Sequence, residues 1–206
     1  MPIRVGAPKE TTAGEKRVAL VPEVAQRLSK LGVEVLLESG AGNAAHYPDS
    51  AYAETRIVGD ADSLYAEADV ILTVQPPVAR VIGKMRSGTS VIGFMAPHGE
   101  AERITLMQQH TITSYAMELV PRISRAQSMD ALSSQAAVAG YKAVLMAANL
   151  SGRFFPMLTT AAGTIRPARA VVIGAGVAGL QAIATARRLG AIVEGYDVRA
   201  ATKEQV

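Results

Sequence analysis

Short apolar runs alternate with amphipathic segments along the first 120 residues. Ile3–Ala7, Val33–Glu38, Asp69–Val74, Ser90–Phe94 and Thr111–Tyr115 read as strands. Between them, Pro22 opens a helix that runs to Leu31 and ends at Gly32, and Glu100–Gln109 is a second helical stretch. Ala51–Thr55, Leu64–Ala68 and Arg80–Met85 read as shorter helical pieces. Strands and helices alternating at this spacing predict a parallel, doubly wound sheet. Beyond residue 130 the period changes. Leu132, Ala136, Ala139, Ala143, Met146 and Leu150 recur at three- and four-residue steps, with Asp130 placed to cap the start. That pattern predicts one long helix joining two domains and walling the cleft between them. Finally, Ala170–Ile173 is a continuous, largely β-branched run, as expected of a parallel strand buried on both faces. A helix over Ala178–Leu189 and a strand over Ala191–Asp197 follow it.

The expected fold is α/β, with two Rossmann-like doubly wound parallel-sheet domains joined by a long helix, the second incomplete. Residues 1–123 form the first domain. Residues 124–166 hold a polar loop, the long helix and a connector that runs from Phe154 to Pro167. Residues 167–206 begin the second domain, which has one strand–helix–strand unit before the sequence stops at Lys203-Glu204-Gln205-Val206. One unit leaves a sheet edge open, which suggests a shortened chain.

The richest chemistry lies in Gly174-Ala175-Gly176-Val177-Ala178-Gly179. Gly174 permits a tight turn, Gly176 lets backbone approach a pyrophosphate, and Gly179 lets helix pack against strand. The helix start then offers free N–H groups and a positive dipole end to phosphate. Asp197 closes the next strand 18 residues after Gly179. A carboxylate there accepts hydrogen bonds from an adenosine ribose and repels a 2′-phosphate, so the expected cofactor is NAD(H) rather than NADP(H). Arg199 is of the type that accommodates a 2′-phosphate, and the carboxylate outranks it. The six residues from Gly174 to Gly179, with Asp197, Val198 and Arg199, are the candidate cofactor-binding set.

Composition narrows the class. The chain has 206 residues, is 49% hydrophobic and carries no cysteine, which excludes a disulfide framework and thiolate chemistry. A formal net charge of +3, with basic residues scattered and no interleaved aromatics, argues against a nucleic-acid partner. No apolar run reaches membrane-span length, and Met1-Pro2-Ile3-Arg4 is no signal peptide, so a cytoplasmic chain without a transmembrane segment of its own is expected.

Three segments together carry a family resemblance: Pro8-Lys9-Glu10 with Glu15 and Arg17-Val18-Ala19, Pro121 through Gln135, and Val172 through Leu180 continuing to Tyr196-Asp197-Val198-Arg199. In these the chain resembles the NAD(H)-binding component of proton-translocating nicotinamide nucleotide transhydrogenases, within the broader alanine dehydrogenase/transhydrogenase family. The segment Arg122-Ile123-Ser124-Arg125-Ala126-Gln127-Ser128-Met129-Asp130 is its specific part. The resemblance implies that this loop reaches a nicotinamide through Arg122, Gln127 and Asp130, with Ser133 a further contact. It also implies that NADP(H) sits on a partner component, that membrane-spanning partners carry the proton, and that the chain is a homodimer peripheral to the inner face of the membrane. Taken alone, these loop residues read as a capped helix start with a surface ion pair.

Two other functions fit parts of the pattern. An alanine dehydrogenase-like oxidoreductase needs a carboxylate anchor and a general acid. Arg17 could anchor, but Gln75 stands where that branch of the family requires lysine. Ala96 stands at the expected histidine position, with His98 two residues on. His46 and His110 have no partner pattern. A non-catalytic nucleotide-binding module is the third possibility. Ala200 after Arg199, where the family tends to carry proline, is a small departure.

Overall fold

The computed structural model of the chain describes residues 2–205, and contacts divide it into two units, Met1–Ala126 and Gln127–Val206. In the first unit β1 (Arg4–Ala7), α1 (Pro22–Lys30), β2 (Glu34–Glu38), β3 (Arg56–Val58), α2 (Ala61–Glu67) and β4 (Val70–Leu72) follow in order. Then come α3 (Ala79–Ile82), β5 (Ser90–Gly93), α4 (Ala101–Gln109) and β6 (Thr113–Ala116). The six strands form one parallel sheet in the order β3-β2-β1-β4-β5-β6, which reverses direction between β1 and β4.

Alternation along β2 shows how the sequence builds both layers. Val35 and Leu37 join Ala7, Leu20, Ala25 and Tyr52 in one buried cluster, while Leu36 between them joins Leu64, Ile71, Ile82 and Val91 in the other. A parallel sheet covered on both faces is the result. Local signals set the helix starts. Pro22 lies in the first turn of α1, and Asp60 caps α2 by accepting the Ser63 N–H at 2.9 Å. The expected helix at Ala51–Thr55 is not there: Asp49–Ala51 is a single 3₁₀ turn, and Arg56–Val58 adds an edge strand to β2. Three residues with an exposed Ile57 carry too little alternation to be read as a strand.

In the second unit α5 (Ala131–Leu150) follows 3₁₀ turns over Ser124–Met129. The expected connector contains a hairpin, β7 (Leu158–Thr160) with β8 (Gly163–Ile165). Next come β9 (Arg169–Ile173), α6 (Val177–Arg188) and β10 (Ile192–Tyr196), with β9 and β10 paired in parallel as a two-stranded sheet. Among the described residues no helix is long and apolar enough to cross a membrane.

On α5 the large apolar residues of the expected helical face are open: Met146 is exposed and Leu150 is 80% exposed. The buried face is instead Gly140 and Val144, with Ala148 packed beside them. Gly140 explains the choice, because a Cβ there would lie 2.1 Å from the Ala178 carbonyl oxygen of α6. Close helix approach selects the smallest residues at the contact. The expectation of a strand buried on both faces fails at β9, which is buried on one face only. Ala170 and Val172 pack under the helices, while Val171 is exposed and Ile173 is 82% exposed. The register places Ile192, Glu194 and Tyr196 of β10 beside Arg169, Val171 and Ile173, and an Arg169–Glu194 ion pair lies across that open face. Helices cover one side of this sheet, and among the described residues nothing covers the other.

Candidate functional site

The turn between β9 and α6 is shaped by its glycines. Gly174 sits at φ +97°, a conformation that L side chains rarely adopt. A Cβ on Gly179 would lie 1.7 Å from the Gly174 carbonyl oxygen, so the helix can close onto the turn only without one. Gly176 is the N-cap of α6 and supplies no side-chain cap. Leu180 makes the first intrahelical bond, to the Gly176 carbonyl at 2.8 Å, so the N–H groups of Val177, Ala178 and Gly179 precede that ladder. A Cβ at Gly176 would meet nothing nearer than the Arg199 guanidinium at 3.9 Å. Open backbone at a twelve-residue helix's positive end suits a diphosphate.

The end of β10 is tied to this turn. Gly174 donates its N–H to the Tyr196 carbonyl at 2.7 Å, and Ala175 donates its N–H to Asp197 Oδ2 at 2.7 Å. Arg199 then grips the same carboxylate with its backbone N–H at 2.8 Å and with Nε and Nη2 at 3.0 Å each. The Arg199 bonds, with the Ala175 N–H, hold the Asp197 carboxyl well below the usual carboxylate range. A cleft of about 440 Å³ opens here, lined by Ala175, Gly195, Tyr196, Asp197, Arg199 and Thr202. Its size lies within the range of small-molecule sites. Thr202 has no motif signal in the sequence, but its hydroxyl donates to the Arg199 carbonyl at 2.8 Å and fixes the chain after Arg199. Val198 is exposed beside the cleft. The turn, the free helix-start N–H groups and the strand-end carboxylate together fit a dinucleotide.

The loop residues divide between the units. Arg122 is exposed in the first, and Gln127 is exposed at the start of the second. Asp130 and Ser133 come together as the cap of α5: Asp130 accepts the Ser133 N–H at 2.8 Å and its hydroxyl at 2.7 Å.

The first unit carries a second polar cluster where its strand order reverses, the place where open α/β sheets put ligand sites. Glu10 accepts the N–H groups of Val74 at 2.5 Å and Gln75 at 3.2 Å, and burial pushes its carboxyl up. Arg17 grips Glu15 through Nε at 2.8 Å and Nη2 at 2.7 Å, and those bonds hold the Glu15 carboxyl down to about 2. The Gln75 amide donates to Glu15 at 2.6 Å. Ala96 sits at φ +48° with its N–H bonded to Glu118, and His98 is exposed.

Comparison with known proteins agrees with both halves of the chain. Residues 6–139 match the family model described as alanine dehydrogenase/PNT, N-terminal domain, and residues 143–206 match its C-terminal domain. The chain is 48% identical over 211 residues to an NAD(P) transhydrogenase subunit alpha polypeptide of Rhodospirillum rubrum, covering 99% of this chain and 55% of that protein. It is 46% identical over 206 residues to NAD(P) transhydrogenase subunit alpha of Cereibacter sphaeroides, covering 99% of this chain and 39% of that one. A crystal structure of transhydrogenase from Sinorhizobium meliloti superposes with a TM-score of 0.95 at 52% identity, over 98% of this chain and 59% of the other. The chain thus spans between about two-fifths and three-fifths of the length of these relatives.

Proposed function

This chain belongs to the alanine dehydrogenase/PNT family, and from that premise we propose that it is the NAD(H)-binding component of a proton-translocating transhydrogenase. In this reading a hydride passes between NADH held here and NADP+ held on a separate component, and the proton pathway lies in membrane-spanning partners. The carrying observation is the open glycine turn before α6 with Asp197 bonded to it from the end of β10.

Each residue then has a physical task. Backbone N–H groups from Val177 to Gly179 receive the diphosphate, and Asp197 receives the adenosine ribose. Gln127, an exposed neutral amide, and Arg122 orient the nicotinamide end, while the Asp130–Ser133 cap holds the loop that carries Gln127 at the head of α5. The bound dihydronicotinamide itself supplies the hydride chemistry. Hydride exchange between two nicotinamides requires no general acid. That suits a first unit in which Arg17 is gripped by Glu15, an amide stands at position 75, and His98 is exposed. The chain acts at the inner face of the membrane as a homodimer, and the exposed apolar stripe of α5 around Met146 and Leu150 supports a second copy there.

Reconstitution tests the reading. NADPH should reduce an NAD analogue only when the NADP(H)-binding and membrane components are added. Pyruvate- and ammonia-dependent NADH oxidation by this chain alone would overturn the assignment in favour of an alanine dehydrogenase-like enzyme. Nucleotide binding with neither activity would leave a binding module.

A further inference from the structure

In the cleft beside the glycine turn, the protein itself already occupies both oxygens of Asp197. Oδ1 accepts from the Arg199 backbone N–H and Nε, and Oδ2 accepts from the Ala175 N–H and Arg199 Nη2. Two parallel guanidinium bonds to one carboxylate form the strongest common polar pairing, charge-assisted and geometrically matched. The partners differ in exposure. The Asp197 side chain is 8% exposed and that of Arg199 is 61% exposed, so the carboxylate is fixed in the wall and the guanidinium projects into the cleft. Its Nη2 is also the atom nearest to the open space over Gly176. The arginine therefore lies between the ribose acceptor and the mouth of the diphosphate turn, with its charge offset by the carboxylate at hydrogen-bond distance.

We infer that Arg199 is a latent 2′-phosphate site which Asp197 holds out of use, and that this pairing sets the dinucleotide choice of the cleft. The inference rests on the reading above, in which the adenosine ribose enters this cleft. Ribose hydroxyls are donors and can share or replace the guanidinium bonds on the carboxylate, so NADH is accepted. A 2′-phosphate brings only acceptors. It meets the carboxylate's negative charge, and the guanidinium that lines the cleft is bound to that carboxylate. Asp197 thus excludes the phosphate twice, by repulsion and by sequestering the group that would bind it. Selectivity by sequestration makes a claim that repulsion alone does not: removing the carboxylate helps NADPH chiefly through Arg199.

A double-substitution cycle separates the two. Dissociation constants for NADH and NADPH are measured on the chain, Asp197→Asn, Arg199→Met and the double variant. Asp197→Asn is expected to tighten NADPH binding by about tenfold, the scale of one charge-assisted phosphate contact. With Arg199→Met in the same chain that gain should shrink to less than about twofold, the residue left by lost repulsion across screened solvent. An equal gain with and without Arg199, or no gain at all, overturns the inference. Failure of the unsubstituted chain to bind NADH counts against the functional reading. The pairing is then decided without nucleotide, from the Arg199 Nε–H resonance. Slow hydrogen exchange in the chain and fast exchange in Asp197→Asn supports sequestration, and equal exchange in both overturns it.

Discussion

Both units place polar residues at the carboxyl ends of parallel strands, yet they use them in opposite ways. In the first, Glu10, Glu15, Arg17 and Gln75 satisfy one another and the backbone of β4's outgoing loop, so side chains fill the point where the sheet order reverses. In the second, the corresponding turn is built of glycine, its backbone is open over Gly176, and a cleft lies beside it along Ala175, Asp197 and Arg199. The supporting cores differ as well. The first sheet is buried on both faces by leucine, isoleucine and valine, and the second is buried on one face, largely by alanine. A shared layer plan therefore does not locate function.

The comparison makes graded demands on stability, and the largest falls on the first unit. Leu36→Ala removes a fully buried side chain from the centre of its sheet and should cost about 2–5 kcal/mol in a urea transition of that unit. A smaller cost would mean that the two-faced core is looser than its burial indicates.

The polar cluster comes next. Glu15 has its carboxyl depressed, chiefly by the Arg17 bonds, so its contribution is fully present above its ordinary value near 4.5 and is lost as pH falls toward about 2. Glu10 has the opposite sign. Burial raises its carboxyl, so the folded unit takes up that proton more readily than the unfolded chain and gains stability as pH falls through its titration. Urea unfolding of Glu15→Gln against pH should show a shallower acid-dependent limb below about 4.5, the remainder coming from the depressed carboxyls of Glu67 and Asp69, and about 1.5–3 kcal/mol of destabilisation at neutral pH, the scale of hydrogen bonds to a charged group. An unchanged limb would remove Glu15 from that role.

In the second unit, Gly140→Val forces α5 away from α6 and should cost about 1–3 kcal/mol by thermal unfolding, with the first unit's transition unmoved. The smallest effect belongs to the open face. Ile173→Ala should change stability by less than about 0.5 kcal/mol despite the strand's apolar sequence. A large loss there would show that the face is covered in solution.

What was legible in the sequence follows the same division. Strands β1, β2, β4, β5 and β6 and the unit from β9 to β10 stand within a few residues of where apolar runs and glycines predict them, because two-sided burial and a glycine turn both leave strong local patterns. Strand β3 and the hairpin β7–β8 were not legible. Arg56-Ile57-Val58 is too short to alternate, and Thr159-Thr160-Ala161-Ala162-Gly163 has the composition of a loop. The packed face of α5 was not legible either, because Gly140 contributes nothing to an apolar count, yet a Cβ there would collide with the Ala178 carbonyl of α6. At the site, the spacing from Gly179 to Asp197 was readable. The Ala175 N–H bond and the Thr202 brace were not, since backbone donors carry no residue signature and Thr202 lies outside any motif.

The central claim is that the turn from Gly174 to Gly179 receives a dinucleotide diphosphate. Amide chemical shifts followed during NADH titration test it most directly. Ala175 through Gly179 are expected to move together and saturate with the binding curve, and Asp197→Ala is expected to weaken that curve for the same amides. Saturable NADH binding that leaves these amides unmoved, or no binding at all, would contradict it.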